Sequence, residues 1–121
     1  DALRLANEIA ANAAPAEAIE AELIACEALL AGGRTLDAEK RIDSVASRID
    51  ARAMPGSWGE FLRLRGTLHG SADRLSEAYH VIAQSASVFE LIGEGYQLAL
   101  SHLALGRLAS RRAIQRAARE G

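Results

Sequence analysis

The chain has 121 residues, a formal net charge of −2, half of its residues hydrophobic and a quarter charged. That length suits one domain, the composition excludes a disordered chain, and the charge gives no overall field favouring nucleic acid or an anionic membrane. The single cysteine, Cys26, excludes an internal disulfide or a cysteine-based zinc cluster.

Alanine is abundant, aromatics make up 4% and there are two prolines, a balance that favours helices in close contact. With a single cysteine a reducing, cytoplasmic setting is expected, and no apolar run approaches the roughly 18–20 residues that span a bilayer. The chain opens at Asp1 already in helical periodicity, and we expect a segment of a longer protein.

Ala2, Leu5, Ala6, Ile9 and Ala13 follow three- and four-residue steps, which predicts a helix over 2–13. Pro15 suits the first turn of a second helix, with Glu17 and Glu20 complementing its positive end. Gly32-Gly33 closes that helix near Ala31. Thr35 or Asp37 is expected to cap a third, whose core face is Ala38, Ile42, Val45, Ala46 and Ile49.

Ala53-Met54-Pro55-Gly56 is a break, after which Ser57 and Glu60 have the spacing of a capping box. The helix from 57 to about 70 carries Trp58, Phe61, Leu62, Leu64 and Leu68, and Asp73 is the expected N-cap of the next. That helix runs to about Ile92 with Leu75, Ala78, Tyr79, Ile82, Ala86 and Phe89. After Gly93-Glu94-Gly95 another spans 95–109, and 111–120 is either a seventh helix or its continuation.

These segments repeat at a shift of 40 residues. Ala2 matches Ile42 and Ile82; Ala6 matches Ala46 and Ala86; Ile9 matches Ile49 and Phe89. Ala13 matches Ala53 and Gly93, Ile24 matches Leu64 and Ala104, and Ala28 matches Leu68 and Leu108. A period of this size indicates stacked helix pairs that bury one another's apolar faces.

A small residue in a first helix is followed twelve positions later by alanine: Cys26 with Ala38, Gly66 with Ala78, Gly106 with Ala118. With Ile42 and Ile82 four residues beyond the alanines, this pattern resembles the tetratricopeptide repeat family. The period is 40 here and about 34 in that family, and Cys26 stands where glycine is usual. The longer spacing is similar to divergent arrays in bacterial multidomain signalling proteins and ATPase-type transcriptional activators.

The resemblance implies an all-α solenoid of six or seven helices in antiparallel pairs. Repeat boundaries fall near 14–54, 55–93 and 94–121, with 1–13 ending a preceding repeat. It implies a non-enzymatic interaction, sensor or scaffold module of a larger bacterial signalling or transcription-regulatory protein. A small-molecule effector domain and a purely structural or self-associating segment are the alternatives.

By the family's register, the concave groove takes Glu20, Leu23 and Glu27 from one first helix. It takes Glu60, Arg63 and Thr67 from the next and Leu100, Leu103 and Arg107 from the last. The expected partner is a protein or peptide, a neighbouring domain of the same chain, or a second copy. Cys26, Ala38, Gly66, Ala78, Gly106 and Ala118 are read as close-packing residues.

No catalytic residue, metal site or cofactor is read. His69, His80 and His102 lack the spacing of a helical metal motif, and Gly93-Glu94-Gly95 does not follow a strand as a phosphate loop does. Arg112, Arg116 and Arg119 share one helical face and could meet phosphates. Nucleic acid is disfavoured because no aromatics interleave with them.

Overall fold

A computed structural model describes residues 1–12 and 15–120, with side-chain surroundings for 1–8 and 15–120. It contains α1 (Ala2–Asn12), α2 (Pro15–Ala31), α3 (Thr35–Ala46), α4 (Pro55–Ser71), α5 (Leu75–Ile92) and α6 (Gly95–Glu120). No strand occurs among the described residues. The Ile9 side chain and Ala13, both used in the 40-residue register, lie outside them.

Each helix packs on the next in the chain, and α2 also packs on α4 and α4 on α6. Turns as short as 32–34, 72–74 and 93–94 make sequential neighbours antiparallel. The backbones of α1, α3 and α5 do not approach one another closely. The even-numbered helices therefore neighbour one another along one side, while the odd-numbered ones stay apart.

The main core joins α2, α3 and α4 through Leu23, Cys26, Leu29, Ile42, Val45 and Phe61, with Val81 and Val88 of α5 against it. A second cluster joins α5 and α6 through Leu75, Ala78, Ile82 and Leu108. Ala6, Ala21 and Ala25 make the α1–α2 contact, where the absence of side-chain bulk lets backbones come close. Cys26, Ala38 and Ile42 are each 0% exposed, and their register partners Ala78 and Ile82 are 0% and 2% exposed.

The turns share one device. Gly33 and Asp73, forty residues apart, have left-handed φ values of 76° and 62°. The following amide donates back five residues in each case, Arg34 N to Leu29 O and Arg74 N to His69 O. This is the Schellman arrangement. Asp73 is thus the left-handed residue closing α4 and not the N-cap of α5, which is Arg74 without a side-chain cap. Aspartate tolerates this conformation better than most non-glycine residues.

The third position in this register is Ala113. Alanine in the left-handed region costs about 1–2 kcal/mol, and the chain stays helical there. Residues 95–109 and 111–120 accordingly form the single helix α6. Gly106 and Ala118 thus lie on one helix, both exposed, and do not form a third close-packed pair. A methyl group on Gly106 would meet nothing within 4 Å.

Two other expected caps are corrected. α3 starts after Arg34 with no side-chain cap from Thr35 or Asp37; Asp37 instead pairs with Arg34 at 2.6 Å. α4 starts after Met54 with Pro55 in its first turn, so Ser57 and Glu60 sit inside the helix and form no capping box. Proline sets the helix start two residues earlier because its fixed φ suits the first turn.

Candidate binding groove across alternate helices

A groove of about 430 Å³ runs along α2, α4 and α6. Leu23 and Glu27 of α2, Glu60, Arg63 and Thr67 of α4, and Leu100, Leu103 and Arg107 of α6 line it. Eight of the nine register positions named from the sequence thus face one space. Glu20 does not line it; it sits a turn earlier on α2 and acts on the groove through its charge on Glu60.

Ile24, Leu30, Ala31, Leu64 and Ala104 complete the lining. Ile24, Leu64 and Ala104 are matched positions of the 40-residue register, and Ile24 is 51% exposed. Periodicity marks both faces of a first helix as apolar, and only the neighbouring helices decide which face is covered. Leu103, also 51% exposed, stands opposite on α6. The groove therefore has a hydrocarbon floor and a charged rim.

Arg63 is tied down from within the molecule. Its guanidinium donates to Gln97 O and Ser101 Oγ, each at 3.2 Å, and to Gln97 Oε1 at 2.5 Å. It also lies 5.5 Å from the centre of the Phe89 ring. Gln97 in turn donates to Glu60 Oε1 at 3.4 Å. These contacts give Arg63 a role in joining α4 to α6.

Behind Arg63 runs a buried chain of hydroxyls. Ser85 Oγ donates to Gly59 O at 2.8 Å and lies 3.0 Å from Ser101 Oγ. A hydroxyl has one proton, so Ser101 supplies the proton between the serines while accepting from Arg63. The order of donation is Arg63, Ser101, Ser85, Gly59 carbonyl. Both serines are 0% exposed. Sequence periodicity missed them because a buried serine carries no apolar signal.

Burial raises the Glu60 carboxyl above its ordinary value; Arg63 opposes this, and Glu20, Glu27 and Glu94 add to it. Burial likewise lowers Arg63, against the pull of Glu60 and Glu27. The acidic side of the rim is therefore crowded. Arg107 is the exposed cation on the α6 side.

Cys26 lies behind the groove, fully buried. Burial, reinforced by Glu22 and opposed by Arg41, pushes its thiol up to about 11, which leaves it protonated and unreactive near neutrality. Trp58 stacks on Phe61 with ring centres 5.1 Å apart. Among the described residues no three His, Cys, Asp or Glu side chains converge as metal ligands. No helix there is long and apolar enough to cross a membrane.

Comparison with protein-family models, curated proteins and solved structures gives no match to this chain.

Proposed function

We propose that the chain is a non-enzymatic protein-interaction module, a tetratricopeptide-like solenoid that holds a peptide segment along the α2–α4–α6 groove. It serves as a recognition or relay part of a larger signalling or transcription-regulatory protein. The supporting observation is that three alternate helices each contribute both apolar floor and charged rim to one groove. Stacked helix pairs present such continuous concave surfaces. The partner's apolar side chains would cover Ile24 and Leu103, and its polar groups would meet Glu27, Thr67 and Arg107.

Selection from a displayed peptide library, followed by calorimetry, tests this. Ile24→Asp and Leu103→Asp should each weaken a selected peptide by at least tenfold, about 1.4 kcal/mol, with helicity unchanged. Leu36→Asp, on the 75% exposed α3 residue outside the groove lining, should bind like the parent. Equal binding by all three variants would reject the groove.

The groove volume favours a second reading, a small-molecule effector site, since such sites span about 300–1,000 Å³. A metabolite that raises the melting temperature of the parent but not of Leu103→Asp would select it.

A further inference from the structure

A second cavity, separate from the groove, lies where the C-terminal half of α6 passes the start of α5. It encloses about 250 Å³ and is lined by Arg112, Arg116 and Arg119, with Gln115, Ser76 and Asp73. The geometry points to a binding site for a small phosphate-bearing ligand, such as a phosphate monoester, gripped by the three arginines.

The charge there is not balanced by the helix that carries it. α6 contains Arg107, Arg111, Arg112, Arg116 and Arg119, and its single carboxylate is Glu120 at the last residue. Arg112 rests over the Tyr79 ring at 5.7 Å, which holds its guanidinium in place without neutralising it. No hydrogen bond or ion pair reaches Arg116 or Arg119 from the described residues. Asp73 is the one carboxylate lining the cavity. Its Oδ1 already accepts from Gln115 at 2.9 Å and from Arg111 at 3.4 Å.

Complementing the helix dipole accounts for only part of the cluster. That effect fades beyond the last turn, and Arg112 lies two turns before Glu120. What the three share is the cavity. Guanidinium forks match phosphate oxygens in pairs. The uncapped start of α5 at Leu75 and Ser76 adds backbone donors on the opposite wall. The space holds a phosphate and a small attached group, since a water occupies about 30 Å³. The arginines form one compact cluster, with no basic track to follow a polynucleotide backbone.

The test is an NMR titration of the full chain with inorganic phosphate and with phosphoserine, at constant ionic strength against chloride. The amides of Leu75 and Ser76 and the Nε–H signals of Arg112 and Arg116 should shift saturably with both phosphates and not with chloride. Arg116→Gln and Arg119→Gln, both at exposed positions, should keep the parent's circular dichroism and weaken binding about tenfold each, the scale of one charge-assisted bond. Shifts that match those in chloride, or that survive both substitutions, would overturn the site. Tighter binding of a single-stranded oligonucleotide or of anionic-lipid vesicles than of phosphoserine, lost in the same variants, would also overturn it in favour of a macromolecular contact.

Discussion

Gly66 lies so close to Ile82 that a side-chain methyl at residue 66 would overlap Ile82 Cγ1 and stand 2.9 Å from Cδ1 and 3.2 Å from Ala78 O. The absent side chain is what lets α4 and α5 meet. Gly66→Ala should therefore destabilise by about 1–3 kcal/mol through overpacking. Ile82→Ala, which removes Cγ1 as well as Cδ1, should cost less in the Gly66→Ala background than in the parent if the clash is its cause. Gly106, forty residues on, faces open space, so Gly106→Ala should stabilise, by up to about 1 kcal/mol of helix propensity. Chemical denaturation of both variants checks the opposite signs.

The hydroxyl chain predicts coupling. Ser101→Ala removes the acceptor of Arg63 and the donor to Ser85, and Ser85→Ala leaves the buried Ser101 hydroxyl without its acceptor and takes the side-chain donor from the Gly59 carbonyl. Each change should cost about 1–3 kcal/mol, the desolvation penalty of a buried group left unpaired. Because they share one chain, the double mutant should cost less than the sum of the two. A double-mutant cycle in urea reads this, and strict additivity would show that the bonds are independent.

Arg63 and Arg107 should separate stability from binding. Arg63→Ala removes three hydrogen bonds and the contact over Phe89, and should lower the melting temperature markedly. Arg107→Ala, exposed on the groove rim, should leave the melting temperature unchanged and alter only peptide affinity. Calorimetric melting together with binding isotherms distinguishes the two roles.

Glu60 should give stability a pH dependence of defined sign. Burial raises its folded-state value above the ordinary 4.5, so the folded chain holds this proton more tightly than the unfolded one. Stability from this group is fully present below 4.5 and is lost as pH rises through the folded value. The difference in melting temperature, Glu60→Gln minus parent, should therefore increase as pH rises from 4 to 7. A difference that stays flat would mean the carboxylate is solvated.

Cys26 should react with a thiol reagent only through opening of the fold. Its thiol is buried and raised to about 11. At pH 8 its labelling rate should follow denaturant as global unfolding does. Ala38→Gly, which opens space in the same buried cluster, should speed labelling. Native-state labelling at the rate of a free thiol would contradict this packing.

The sequence by itself determined the helical segments, the turns at Gly33 and Gly93, and which positions of three first helices share a side. These are legible because helix burial repeats every few residues and because the turns demand residues that tolerate a left-handed backbone. The same rule, applied at Ala113, explains after the fact why α6 does not turn. Only the tertiary structure decided that Ile24 faces the groove and not the core. It alone showed that Gly106 has no partner helix, and that Arg63 is held by Gln97 and Ser101. Each of these depends on what another helix, thirty or more residues away, places against the residue in question. A local pattern records that a face is apolar or charged; the neighbouring helix determines whether that face is covered, satisfied or left open.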